Sequence, residues 1–173
     1  AKSGIDVFRV FDSLNWVENM RVAMDAVLKS GKVLEASICY TGNILSTEKT
    51  KYDLGYYLEM AELLKKSGAH IIGVKDMAGL LKPEAAKVLF HALKQEIGLP
   101  IHFHTHDTSG LASATVLAAA DSGADIIDLA MDAFSGGTSQ PSMGSVLSAL
   151  DDTEKRSLLK SSAVRTINEY WAQ

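Results

Sequence analysis

Ser67-Gly68-Ala69-His70-Ile71-Ile72-Gly73-Val74-Lys75-Asp76 reads as a helix end, a tight turn and a buried strand. Gly68 stands where a helix closes. Ile71 to Val74 form the near-continuous apolar run of a strand covered on both faces. The same signature returns at Ser122-Gly123-Ala124-Asp125-Ile126-Ile127. Upstream of the first copy, Asp53 is a good N-cap for a helix that buries Tyr57, Met60, Ala61 and Leu64. Downstream, Pro83 opens a helix that ends by Gly98. Strands are expected at about 6–12, 35–40, 69–75, 101–106 and 125–131. Helices are expected at 17–29, from Asp53 to Gly68, from Pro83 to Gly98, at 111–122, 143–150 and 162–172. A strand-then-helix unit repeated in this way predicts an α/β fold with a parallel sheet.

Polar residues gather where each strand ends. Asp12 closes the first strand, Tyr40 and Thr41 the second, and Lys75 and Asp76 the third. His104, His106 and Asp107 close the fourth, and Asp132 follows the fifth. In a TIM (β/α)8 barrel that end carries the active site. An open doubly wound sheet also binds ligands at its strand carboxyl ends, so it stays as the alternative. A complete barrel typically takes about 250 residues. With 173 residues and about five βα units plus C-terminal helices, part of a TIM barrel is the expected architecture. Residues 1–150 would form the partial barrel and 151–173 a helical extension of the same domain. The abrupt apolar start at Ile5-Asp6-Val7-Phe8 suggests a piece cut from a longer chain.

Composition narrows the function classes. Hydrophobic residues make up 47% and charged residues 22%, with a net charge of -4. No basic cluster marks a nucleic-acid partner. The apolar runs are too short to span a bilayer. Cys39 is the single cysteine, so no internal disulfide can form.

Chemistry concentrates in Ile101-His102-Phe103-His104-Thr105-His106-Asp107. Side chains alternate along a strand, so the three histidines share one face. Imidazoles so placed suit zinc, copper, iron or nickel, and the later two lie nearest the expected site. Lys75 ends an apolar strand, where loss of water favours its neutral amine. Such an amine can act as a nucleophile, form a Schiff base or add carbon dioxide. Alternatively, the side chain simply reaches out to water. The loop Ser135-Gly136-Gly137-Thr138-Ser139-Gln140-Pro141 is flexible enough to bring backbone N–H groups to an anion, or is a plain turn.

Together these segments resemble the carboxyltransferase domain of the pyruvate carboxylase family. The runs that carry the likeness are Val7 to Asn15, Ile38-Cys39-Tyr40-Thr41-Gly42, and Val74-Lys75-Asp76-Met77-Ala78-Gly79-Leu80-Leu81-Lys82-Pro83. Three more are His102 to Gly110, Ser135 to Pro141, and Glu169-Tyr170-Trp171. They cover nearly the whole chain in order. Decarboxylase and transcarboxylase subunits share the Lys75 motif. The runs around His104 and Thr138 are closer to the pyruvate enzymes.

The resemblance implies that Lys75 is catalytic and carries carbon dioxide as a carbamate. That carbamate, His104 and His106 would hold a divalent metal, zinc or manganese. Asp12, Asp76, His102 and Asp107 would support those ligands from behind. The implied reaction moves a carboxyl group from carboxybiotin to pyruvate, giving oxaloacetate. Biotin would arrive on a carrier domain, charged by a biotin carboxylase domain, in a homo-oligomer. The compartment would be the cytoplasm of a bacterium or the mitochondrial matrix of a eukaryote. An aspartate ligand, a substrate-binding arginine and a proton-relaying threonine of the family have no counterpart here. The chain by itself is therefore expected to bind metal weakly and to lack turnover. A metal-dependent lyase or aldolase, an oxaloacetate-decarboxylase-type subunit and a non-catalytic folded unit are the competing readings.

Overall fold

The computed structural model describes residues 1–173 except Lys49. Five strands alternate with helices: β1 (Val7–Phe11), α1 (Val17–Lys29), β2 (Val33–Tyr40), α2 (Leu54–Lys66), β3 (Ile71–Asp76), α3 (Pro83–Ile97), β4 (Ile101–Thr105), α4 (Ala112–Ser122) and β5 (Ile126–Ile127). Two further helices follow, α5 (Met143–Leu150) and α6 (Ser161–Trp171). Short 3-10 turns lie at Asp107–Ser109 and Asp132–Phe134.

All strand pairings are parallel, and the strands lie in chain order, β1-β2-β3-β4-β5. That order decides between the two architectures. A doubly wound sheet reverses its winding at a switch point. Here every crossover advances the same way, and crossovers share one hand, so the intervening helices fall on one face. The result is an arc of a β/α barrel.

The two faces of the arc differ in chemistry. Leu34, Ala36, Ile38 and Tyr40 on β2, Ile72 and Val74 on β3, and Ile101 and Phe103 on β4 are buried in the core against the helices. Phe103 meets Phe90 of α3 edge-on, with ring centroids 4.9 Å apart. Burying one such side chain contributes about 1.5–3 kcal/mol. Alternate residues point to the inner face, and there the chain is charged and polar: Arg9, Glu35, Ser37, Lys75, His102 and His104. Gly73 lies between Ser37 and His102 in the register. A side chain on Gly73 would overlap Ser37 and come within 2.8 Å of Glu35 Oε1, so the inner layer closes only around glycine.

Local signals behaved largely as the residues dictate. Asp53 caps α2, accepting from Tyr56 N at 2.9 Å. Pro83 occupies the first turn of α3, and Gly98 closes that helix in the left-handed conformation at φ 70°. The fifth strand is much shorter than expected. Asp128 N still bonds Phe103 O at 3.0 Å, but Ala130 then bridges to Ser142. That second pairing draws the chain away from β4 toward α5. Asp132 accepts from Ser142 Oγ and Gly144 N at the start of α5 and from Asn168 of α6, which anchors the C-terminal helices there. No helix among the described residues is long and apolar enough to cross a membrane.

Candidate functional site

His104 and His106 converge. Their Nε2 atoms lie 3.2 Å apart, and the rings meet nearly edge to face. Their Nδ1 atoms are both occupied. His104 Nδ1 donates to Asp128 Oδ2 at 2.8 Å, and His106 Nδ1 donates to the carbonyl oxygen of Thr138 at 2.7 Å. Each acceptor favours the proton on Nδ1, so two neutral rings would turn Nε2 lone pairs toward each other. At this separation either a proton shared between the two nitrogens or a cation bound by both satisfies them. Zinc bound at about 2.0–2.1 Å in a tetrahedral site holds its two nitrogens roughly 3.3 Å apart. The pair therefore fits a divalent metal.

Lys75 belongs to the same end of the sheet. It is the register partner of His104 on one side and of Cys39 on the other, with adjacent strands about 4.8 Å apart. The side chain is half-buried. Its Nζ sits over the Phe11 ring, 4.9 Å from the centroid, so the amine leans across β2 toward β1 and away from the imidazoles. No carboxylate pairs with it among the described residues. Cys39 is buried, and burial pushes its thiol up.

Beneath the histidine pair lies a layer of four ionisable groups. Arg9 Nε donates to Glu35 Oε1 at 2.6 Å, and Arg9 Nη1 meets Asp128 Oδ2 at 2.9 Å. His102 donates from Nδ1 to Glu35 Oε2 at 2.9 Å and from Nε2 to Asp128 Oδ1 at 2.8 Å. Burial alone would lower the His102 pKa, but bonds to Asp128 and Glu35 prevail and push it up to about 9. Burial likewise opposes charge on Asp128, yet His102, His104 and Arg9 hold its carboxyl far below the usual range. Glu35 is lowered in the same manner by His102 and Arg9. Two cations thus face two anions, and the layer is neutral overall. Removing one member would leave a partly buried charge without compensation.

The aspartates expected to support the ligands do other work. Asp12 accepts from Leu14 N, Trp16 N and Asn19, which shapes the entry to α1. Asp76, fully buried on the helix side, accepts from Leu80 N, Leu81 N and Thr105 Oγ1. Asp107 accepts from Ala112 N at the start of α4. Strand alternation explains Asp76, which points opposite to Lys75. The carboxylate that bonds His104 is instead Asp128, which was not singled out in the sequence. His102 reaches His104 through it, and also through Arg9, whose Nη1 lies 3.3 Å from His104 Nδ1 and whose Nη2 lies 3.1 Å from His102 Nδ1. The glycine loop is the plain turn of the two readings, with its amides turned inward. Gly136 N and Ser139 N bond within the loop, and the Thr138 carbonyl is the group presented to His106.

The described residues contain no group of three or more histidine, cysteine, aspartate or glutamate side chains that could hold a metal. Among the described residues, the two imidazoles are the converging side chains that could hold a cation.

The chain is similar to known proteins in both sequence and fold. Pyruvate carboxylase of Bacillus subtilis is 53% identical over 171 residues, spanning 99% of this chain and 15% of that protein. Mitochondrial pyruvate carboxylase of Mus musculus is 47% identical over 171 residues, spanning 98% of this chain and 14% of that protein. The carboxyl transferase domain of Rhizobium etli pyruvate carboxylase, solved with pyruvate and biocytin, superposes with a TM-score of 0.97 at 62% identity. That match covers 99% of this chain and 29% of the solved one. The chain thus spans about 15% of its curated relatives. The HMGL-like family pattern runs through residues 12–170, from the aspartate after β1 to the last turn of α6, and the chain belongs to that family.

Proposed function

We propose that this chain forms part of a carboxyltransferase site that moves a carboxyl group from carboxybiotin to pyruvate, giving oxaloacetate. The observation that supports this reading is the convergence of the His104 and His106 Nε2 atoms, 3.2 Å apart at the carboxyl end of a barrel strand, with Lys75 the register partner of His104. Bound there, zinc or manganese would polarise the pyruvate oxygen and offset the negative charge that develops when a methyl proton leaves. His104 and His106 would supply two nitrogen ligands. Lys75, as its neutral amine, would add carbon dioxide at Nζ, release one proton to water and supply a carbamate oxygen.

The Phe11 contact bears on that step. A ring face attracts an ammonium and repels an anion. Carbamylation therefore reverses the interaction that holds Lys75 toward β1 and favours a swing toward β4. Biotin carrier and biotin carboxylase domains of a longer, oligomeric protein would deliver the carboxyl group. The compartment would follow the host, cytoplasm in a bacterium and mitochondrial matrix in a eukaryote.

The test is exchange of labelled carboxyl between oxaloacetate and pyruvate in the full-length protein. Exchange should occur, stop when a strong chelator strips the metal, and return with zinc or manganese. Unchanged exchange in metal-free protein would contradict the reading.

A further inference from the structure

Four observations single out Asp128. Its Oδ2 accepts from His104 Nδ1, its Oδ1 accepts from His102 Nε2, and Arg9 Nη1 holds the same Oδ2. It also lies just past the last residue of β5, while His104 lies on β4, so the contact crosses between strands. His106 has no such carboxylate and relies on the Thr138 carbonyl. The two imidazoles are thus prepared unequally, one by an anion and one by a neutral acceptor.

We propose that Asp128 is a positioning residue for metal capture: its carboxylate fixes the tautomer and ring orientation of His104 and strengthens Nε2 as a donor, while Arg9 and His102 hold the carboxylate in place. This rests on the metal reading above. An anionic acceptor behind an imidazole raises its basicity, and loss of such partners lowers metal affinity by about 10–100-fold. Asp128→Ala removes both acceptor and charge. Asp128→Asn keeps a carbonyl for His104 Nδ1 and Arg9 Nη1 but loses the charge. The expected order of affinity is wild type, then Asp128→Asn, then Asp128→Ala.

The experiment titrates zinc into metal-free, full-length protein against a competing chelator. Wild type, Asp128→Asn, Asp128→Ala and His104→Ala are compared. Amide exchange in β4 is followed in each metal-free form. The proposal expects zinc binding about tenfold weaker in Asp128→Asn and up to about 100-fold weaker in Asp128→Ala, with β4 protection kept in Asp128→Asn. If Asp128→Ala does not fold, Asp128→Asn decides alone. Wild-type affinity in folded Asp128→Asn, with His104→Ala impaired, overturns the positioning role and leaves the metal reading standing. Loss of β4 protection in parallel with loss of zinc assigns Asp128 to the framework and also overturns it. Wild-type affinity in His104→Ala removes the metal reading itself, and the proposal with it.

Discussion

Replacing Lys75 with alanine in the full-length protein is expected to lower carboxyl transfer to pyruvate at least about a hundredfold, the scale of losing one preorganised stabilising group. ATP-dependent carboxylation of biotin should continue, because the proposed function places that step in another domain of a longer protein. Lys75 is the register partner of His104 and has no carboxylate partner among the described residues. Its contact is the Phe11 ring. Nothing in these contacts makes the amine a strut for the sheet. Lys75→Arg keeps the charge and the ring contact but cannot add carbon dioxide as lysine does. It should fail as fully as alanine. Transfer retained in Lys75→Arg would mean that positive charge, rather than a carbamate, is what the site needs.

Asp76→Ala should have the largest structural effect. Its carboxylate is fully buried and receives Leu80 N, Leu81 N and Thr105 Oγ1 at 2.9 to 3.0 Å. Each buried donor left unpaired costs about 1–3 kcal/mol. Water entering the gap would recover part of this, leaving a local loss of about 3 kcal/mol. That corresponds to roughly a hundredfold faster exchange of the Leu80 and Leu81 amides, at about 1.4 kcal/mol per tenfold. Hydrogen exchange of the β3–α3 connection reads this directly. Unchanged protection would show that the loop is held by other contacts. The same loop crowds β4 at Gly79, where a side chain would strike the His106 carbonyl oxygen. Loosening it should therefore also disturb the His104–His106 pair.

The fold was legible because hydrophobic burial on the helix side leaves a periodic trace. Ile71 to Val74 and the strand at Ile101 read as buried runs, and Asp53, Pro83 and Gly98 punctuated the helices as their backbone preferences require. The winding was not legible. Strand order depends on which elements pair, and both barrel and doubly wound sheets produce the same local pattern. Lys75, His104 and His106 stood out because unusual residues end otherwise apolar strands.

Asp128, Arg9 and Glu35 were missed for a reason that can be stated. Attention fell on strand ends, while these groups work one layer below. A charge inside a strand buried on both faces needs an opposite partner. Arg9 amid Val7-Phe8-Arg9-Val10-Phe11 and Glu35 amid Val33-Leu34-Glu35-Ala36 were that signal, with opposite signs on neighbouring strands. The resemblance implied a supporting role for Asp12, Asp76 and Asp107, which stand at the strand ends. Alternation and helix capping take them elsewhere.

Anomalous diffraction from crystals of the full-length protein, grown with manganese or zinc and bicarbonate, tests the central claim most directly. A metal peak should lie about 2.0–2.2 Å from both His104 Nε2 and His106 Nε2, with density for a carbon dioxide adduct on Lys75 turned toward β4. A metal-replete crystal with no peak between the two imidazoles, and with a bare Lys75 amine still resting on Phe11, would contradict it.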